Sequence, residues 1–376
     1  MKYVLVKGVH FGNKGAELMF LAIKQELSEV RDDIRLVLAP GPQSSFERRM
    51  VHQAYQLLSI AKGKHDYNGL TRLISARIRR FLRQRFGIVF EEDLSAIIDA
   101  SGFAYGDNWP IANSHRASSQ AVRLRKKGGK YIFLPQAFGP FHRVPEVKAM
   151  IDALQSSHAA YARDQTSHDY LLKMGFDLPI SEDFTSVVEA KARSERTGLI
   201  LVPNSNMLRG KVGWDSETYI DAMVRIAQHF HEETNEPVAV MNHEGSSDQP
   251  VSEELQTRIS RRIGTCSLLQ PTDALEAKSA IAGAKLVFSS RYHGCISALA
   301  SGVLCIGTSW SHKYKELYKS YDAEQLLLDA EDANTVEDLV SYCLANRATI
   351  EANVAQRASE NKAKSKAFLQ KCLRMI

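Results

Sequence analysis

The sequence predicts an α/β protein made of two doubly wound parallel sheets that face each other across a cleft, and three observations carry this expectation. Short β-branched or aromatic runs alternate with helically spaced apolar residues along the whole chain. A polar, charged stretch from Glu189 to Thr197 interrupts that alternation once, and the pattern then restarts. The length, 376 residues, exceeds what one hydrophobic core usually serves. Alternation on both sides of one linker gives two domains, residues 1–190 and 197–376.

In the first half, strands are expected near 3–6, 34–38, 96–100, 131–134 and 158–162. The helices between them are expected near 15–29, 47–61, 70–86, 113–127 and 144–155. After the linker, strands are expected near 199–202, 238–241, 266–269, 285–288 and 303–306. Helices there fall near 215–234, 252–263, 272–282, 294–301 and 335–345, with a long one from about 348 to 372. Sheet order does not follow from this pattern.

Composition excludes several classes. The five cysteines, Cys266, Cys295, Cys305, Cys343 and Cys372, lack CxxC spacing. That argues against a disulfide framework or a zinc site and for a reducing compartment. No charged region followed by an apolar one precedes Tyr3-Val4-Leu5-Val6, so no signal peptide is expected. The longest nearly apolar run, Gly294 to Gly307, is too short to cross a bilayer and reads as a helix, a break at Gly302 and a strand. A cytoplasmic location is the expectation.

The net charge of +5 is concentrated in one place. Residues 71–87 hold six arginines and no acid, and the rest of the chain carries 42 basic against 43 acidic residues. Leu70, Leu73, Ile74, Ile78, Phe81, Leu82 and Phe86 recur at helical spacing, which predicts a basic amphipathic helix. Such a helix suits peripheral contact with anionic lipid or an anionic saccharide carrier, and equally a solvated arginine face on a core helix. Nucleic acid is disfavoured, because no aromatic platform accompanies the charge.

Chemistry-bearing residues fall at strand ends. The first strand leads into Lys7-Gly8-Val9-His10-Phe11-Gly12-Asn13-Lys14-Gly15-Ala16-Glu17, whose glycines do not fit GxGxxG. A tight turn delivering backbone N–H groups, Asn13 and Glu17 to a hydroxyl-rich ligand fits better. Asp99 ends a strand and reads as structural, whereas Asp107, in the following loop, suits a general base or a sugar-hydroxyl acceptor. Arg163 ends the strand at 158–162 and would project at the cleft, with Asp164 or Thr166 capping the next helix. His243 and Glu244 end another strand without metal-ligand spacing, and no metal requirement is indicated.

Ser289-Ser290-Arg291-Tyr292-His293-Gly294 is the most informative junction, because a strand ends and a small-residue helix begins there. A helix N-terminus beyond a parallel strand is an anion site. Arg291 adds a permanent charge, and His293 adds a group that moves protons near neutral pH. The competing reading has Arg291 in a structural salt bridge and His293 capping the helix. Lys313 follows Trp310-Ser311-His312 after the next strand and would lie close to this junction. Arg163, Arg291 and Lys313 around His293 form a receptor for a small, multiply charged donor.

Taken in order, these segments resemble the polysaccharide pyruvyltransferase family. The matching stretches are Gly12–Glu17, Gln136–Pro140, Ala162–Ser167, Glu182-Asp183-Phe184, Ser290–Gly294 and Lys313. Ser101-Gly102-Phe103 departs from the glycine run that members often carry there. The resemblance implies two Rossmann-like domains in a glycosyltransferase-B-like plan, with the first on the acceptor side and the second on the donor side. It also implies an enzyme that moves the pyruvyl group of phosphoenolpyruvate onto two hydroxyls of a sugar, in a polysaccharide or a lipid-linked precursor. The product would be a cyclic ketal, with phosphate released. No cofactor beyond phosphoenolpyruvate as co-substrate is implied. By analogy His293 is the general acid/base, and Arg163, Arg291 and Lys313 bind the donor. Asn13, Glu17 and Asp107 are the candidate acceptor contacts. The alternatives are a nucleotide-sugar-dependent glycosyltransferase of the same architecture and a non-catalytic saccharide-binding protein.

Overall fold

The computed structural model describes the whole chain except residues 63–64, 192–194, 210–213, 309–312, 330–332 and 334. Trp310, Ser311 and His312 of the sequence reading lie outside the described residues. Two compact units form. Unit 1 comprises Met1–Gly12, Met19–Phe184 and Ser365–Ile376, and unit 2 comprises Asn13–Leu18 and Thr185–Lys364.

Up to Phe184 the elements are, in order, β1 (Lys2–Lys7), α1 (Lys14–Val30), β2 (Ile34–Leu38), α2 (Phe46–Val51) and β3 (Tyr55–Leu57). Next come β4 (Ala61–Lys62), β5 (His65–Asp66), α3 (Ala76–Phe86), β6 (Ile88–Val89), β7 (Leu94–Asp99) and β8 (Phe103–Tyr105). The series ends with α4 (Ala112–Lys126), β9 (Lys130–Phe138), α5 (Val144–Ser156), β10 (Ala159–Ala162) and α6 (Gln165–Lys173). The main sheet has the order β10-β9-β7-β1-β2-β3-β6, all parallel, with β8 against the end of β9. Val4, Leu5 and Val6 of β1 are at most 1% exposed, as expected of a central strand covered on both faces.

Unit 2 continues with β11 (Leu199–Val202), α7 (Ser216–Thr234), β12 (Val238–Met241), α8 (Gln249–Ile263), β13 (Ser267–Leu269) and α9 (Ala274–Ala282). Then follow β14 (Leu286–Ser289), α10 (Tyr292–Leu299), β15 (Leu304–Thr308), α11 (Lys313–Ser320), β16 (Leu327–Leu328), α12 (Val336–Ala345) and α13 (Arg347–Arg374). Its sheet is parallel throughout, with the order β13-β12-β11-β14-β15-β16. Asp215 and Asp273 cap α7 and α9 by accepting from Thr218 N and Glu276 N at 2.9 and 2.8 Å. Asp164 does the same for α6 through Ser167 N at 2.7 Å.

Both sheets are doubly wound. From β1 the chain moves out through β2, β3 and β6, then returns to β7 on the other side. From β11 it moves out through β12 and β13, then returns to β14 on the other side. Each unit therefore has one topological switch point, at the C-terminal ends of β1 and β7 and of β11 and β14. Crevices of this kind are where open α/β sheets bind ligands.

Four local expectations change. The helix expected over 47–61 stops at Val51, because Gln53 takes a left-handed φ of 56° and Tyr55–Leu57 pairs with β2 as a strand. The helix expected over 70–86 is split. A 3-10 turn covers Asn68–Leu73, Ile74 is extended, and Ser75 caps α3 by accepting from Ile78 N at 3.4 Å. Gln136, Ala137 and Phe138 belong to β9, with Pro135 at the register shift against β10. Finally, residues 365–376 leave the expected second domain and group with unit 1. Lys2 Nζ donates to Ile376 O at 2.7 Å, Gln370 to Glu26 at 2.8 Å, and Phe368 meets Tyr161 edge-on. Residues 13–18 conversely group with unit 2.

Candidate active site in the second unit

Arg291 and His293 stand at the switch point of unit 2, immediately after β14. A dense hydrogen-bond frame shapes this turn. Ser289 Oγ accepts from Arg291 N at 3.1 Å, which turns the chain out of the strand. The carbonyl of Ser290 accepts from Asn204 Nδ2 at 2.9 Å and from the Tyr314 hydroxyl at 2.7 Å. The Tyr219 hydroxyl donates to Ser290 Oγ at 2.7 Å and accepts from Asn204 N at 3.0 Å. The ends of β11 and β14 are thereby tied together through the buried Asn204, Tyr219 and Ser290. α10 begins at Tyr292, and Arg291 occupies its N-cap position without a side-chain cap bond.

The Arg291 side chain turns instead to two acids. Asp248, fully buried, takes the Nε and Nη2 edge, with Nε to Oδ2 at 2.8 Å. Glu244, a quarter exposed, pairs with Nη1. Asp248 also accepts from Ser205 N at 3.1 Å, and Glu244 from Asn13 Nδ2 at 2.7 Å. Burial pulls the guanidinium down to about 10 and pushes the Asp248 carboxyl up to about 6, so at neutral pH a charged pair meets through the bidentate contact. The salt bridge expected as the competing reading is real, and it fixes the plane and reach of Arg291.

His293 packs on the first turn of α1. A Cβ built on Gly15 would lie 2.0 Å from His293 Nδ1, so no residue with a side chain fits under the ring. Gly294 is tight for the same reason, since a Cβ there would come 2.4 Å from Ser289 Oγ. The Tyr292 ring lies edge-on to His293 with centroids 5.4 Å apart. Lys313 Nζ stands 4.9 Å from the centre of that Tyr292 ring and 5.7 Å from that of Tyr314. Arg291, Tyr292, His293 and Lys313 thus cluster where β14 and β15 end. His243, 3% exposed just after β12, lies within electrostatic reach of Arg291, His293 and Lys14. Burial first, then the charges of Arg291, His293 and Lys14, hold its imidazole well below the ordinary value. Among the described residues, no group of three His, Cys, Asp or Glu residues could hold a metal ion.

The acceptor-side residues expected from sequence turn out to be engaged. Asn13 caps α1, its Oδ1 accepting from Gly15 N and Ala16 N at 2.8 and 3.1 Å. Glu17 is fully buried and accepts from Ala274 N, the first amide of α9, at 3.1 Å. It is therefore committed to a helix terminus and closed off from solvent, whereas the sequence places it toward a ligand. Asp107 lies in unit 1 and accepts from His142 N, His142 Nδ1 and Arg143 N. Burial raises its carboxyl, but those bonds outweigh it and hold the group below the usual range, which suits a loop staple better than a base. Arg163, also in unit 1, is 4% exposed at its side chain and donates to Asp183 at 3.2 Å. It is a buried paired cation, not a projecting one. Asp99 proves structural: its buried carboxylate takes the Tyr105 and Tyr131 hydroxyls at 2.5 and 2.6 Å.

Asp248, Asn204, Tyr219, Gly15 and Lys14 complete the site without having been singled out as functional, and His243 and Glu244, weighed from sequence as a strand-end pair, join them. Of those not singled out, Lys14 alone carried a hint, as a cation in the opening glycine turn. The rest are read only once the sheet order is known.

Doubly wound sheets with an Arg–His–Lys cluster at a switch point belong to the class of α/β enzymes. The chain is a member of the polysaccharide pyruvyl transferase family, whose model matches residues 13–312. No curated protein matches it. Among solved structures it is similar to UDP-GlcNAc 2-epimerase from Neisseria meningitidis bound to UDP-GlcNAc, at 11% identity and TM-score 0.60, with 100% of both chains covered. It is also similar to the Anabaena protein HepE in complex with UDP, at 11% identity and TM-score 0.60, covering 100% of this chain and 99% of that one. UDP-GlcNAc 2-epimerase from Methanocaldococcus jannaschii matches at 12% identity and TM-score 0.55, over 90% and 92% of the two chains. At these identities the likeness shows the glycosyltransferase-B-like fold alone.

Proposed function

We propose that the protein transfers the pyruvyl group of phosphoenolpyruvate onto two hydroxyls of a saccharide, free in a polysaccharide or carried on a lipid, forming a cyclic ketal and releasing phosphate. The observation that carries this reading is the cluster of Arg291, His293 and Lys313 at the unit 2 switch point. Phosphoenolpyruvate presents a carboxylate and a phosphate, and fixed cations with a proton donor match both.

In this mechanism protonated His293 delivers its proton to C3 of the enol, which makes C2 electrophilic. One sugar hydroxyl attacks C2, and its proton passes to the now neutral imidazole. The second hydroxyl then forms its own bond to C2 while the C2–O–phosphate bond breaks. Its proton leaves with inorganic phosphate. Arg291 and Lys313 hold the anionic groups and stabilise the charge gathering on the departing phosphate. Asp248 fixes Arg291, while Glu244 on Nη1 is the partner that an incoming anion displaces. The Gly15 floor sets the ring of His293.

Phosphate release from phosphoenolpyruvate, screened across lipid-linked and nucleotide-linked sugars, tests the reading, with His293→Asn as the inactive control. The second reading is nucleotide-sugar binding, favoured by the fold that the Neisseria meningitidis epimerase shares while bound to UDP-GlcNAc. Thermal stabilisation by UDP-sugars and none by phosphoenolpyruvate would establish that reading instead.

A further inference from the structure

α3 carries the concentrated positive charge of the chain, and it is set into unit 1 the wrong way round for an ordinary amphipathic helix. None of its residues is buried. Arginines anchor it: Arg79 and Arg83 pair with Asp93 at 3.4 and 3.2 Å, and Arg83 also lies 4.9 Å over the Tyr3 ring. Apolar side chains face solvent in their place. Ile78 is 53% exposed and Phe81 55%, and Phe86, which meets Phe81 edge-on, is 60% exposed. The preceding 3-10 turn adds Leu70 and Leu73 at 56% and 77%. A soluble amphipathic helix packs its apolar stripe inward and its charges outward, and contiguous exposed apolar surface marks an interaction site.

Charge decides what that surface meets. Ile78, Phe81 and Arg85, three and four residues apart, share one stripe of the helix, and Arg77 and Arg80 lie on the next. Arg72, Arg77, Arg80 and Arg85 are exposed and form no ion pair with any described residue. The nearby acids are already committed, Asp93 to Arg79 and Arg83, Glu91 to Arg123 and Glu92 to Lys127. Large apolar side chains ringed by uncompensated arginines complement an interface that is anionic outside and hydrocarbon beneath. We propose that α3 and the turn before it dock on an anionic lipid bilayer. Phe81, Ile78 and Leu73 enter the acyl boundary, and Arg77, Arg80 and Arg85 meet the headgroups. This inference does not depend on the pyruvyl-transfer reading, since vesicle binding is measured without substrate.

The test is co-sedimentation of the full chain with vesicles of phosphatidylglycerol mixed with phosphatidylcholine, against phosphatidylcholine alone. Binding is expected only with the anionic vesicles, falling as salt is raised. The triple variant Arg77→Gln, Arg80→Gln, Arg85→Gln spares the two anchoring arginines, so the fold is kept. Partitioning should drop roughly a hundredfold, at about fivefold per arginine. Ile78→Ser with Phe81→Ser should also release the protein, whereas Arg261→Gln with Arg262→Gln, at the exposed end of α8, should not. Equal binding to neutral vesicles, or a triple variant that binds as before, overturns the proposal. So does a dimer in light scattering that Phe81→Ser dissolves without any vesicle binding, which would assign the surface to a second copy.

Discussion

Arg291 carries two acids, and their different burial separates their roles. Asp248 is fully buried, so truncating it strands a guanidinium inside the protein. Glu244 is partly exposed on the outer nitrogen, where, in the proposed reaction, an incoming carboxylate or phosphate would compete with it. Glu244→Gln removes that competition, so the KM for phosphoenolpyruvate should fall about threefold to tenfold with kcat little changed. A raised KM would show that Glu244 orients Arg291 and does not compete for it. Gly15 gives a second residue-scale test. Gly15 lies in the first turn of α1, where the helix-interior advantage of alanine is small, and the added methyl forces the His293 ring to move, so Gly15→Ala should fold with a modestly lowered Tm. Its methyl would meet His293 Nδ1, and a displaced proton donor costs about a hundredfold in kcat. Unchanged kcat in a folded Gly15→Ala protein would remove His293 from the chemistry. The sequence showed Arg291, His293 and Lys313 because their residue types and strand-end positions are local signals. Their partners were hidden because Asp248, Gly15 and Tyr219 reach them through the fold, from other elements.

At the scale of elements, the strands were legible because parallel strands covered on both faces read as unbroken apolar runs, as Val4–Val6 and Leu199–Val202 do. Helical spacing was less reliable where the chain changes conformation without losing its apolar rhythm. The residues from Leu70 to Phe86 keep that rhythm through an extended break at Ile74, and only the capping serine at 75 marks the new start. Tyr55 to Leu57 became a strand because the edge of β2 offered hydrogen bonds that spacing cannot reveal. The brace between the ends of β11 and β14 is testable at this scale. Tyr219→Phe leaves Asn204 N and Ser290 Oγ without their shared hydroxyl inside the protein, which should destabilise by about 1–3 kcal/mol. Denaturant titration reads that loss. A larger fractional loss in kcat/KM than in folded protein would show that the brace positions the site.

At the scale of the whole molecule, the candidate site couples stability to pH. His243 is buried neutral, with a folded-state pKa well below the ordinary imidazole value of 6.5. The unfolded chain therefore binds the proton first, and folding free energy rises with pH across that range. The contribution is fully present above about pH 6.5 and is lost as pH falls from there toward the depressed native value. Melting curves should show wild type losing Tm between pH 7 and pH 5.5 more steeply than His243→Gln, measured about half a pH unit apart. Parallel slopes would mean that His243 is not the buried neutral group. Phosphate release decides whether this polysaccharide pyruvyl transferase family member takes phosphoenolpyruvate at the unit 2 switch point. With phosphoenolpyruvate and an accepted saccharide diol, one phosphate should be released per pyruvyl ketal formed, and His293→Asn should abolish both. Phosphate release that persists in His293→Asn, or ketal formation without phosphoenolpyruvate, would contradict this reading.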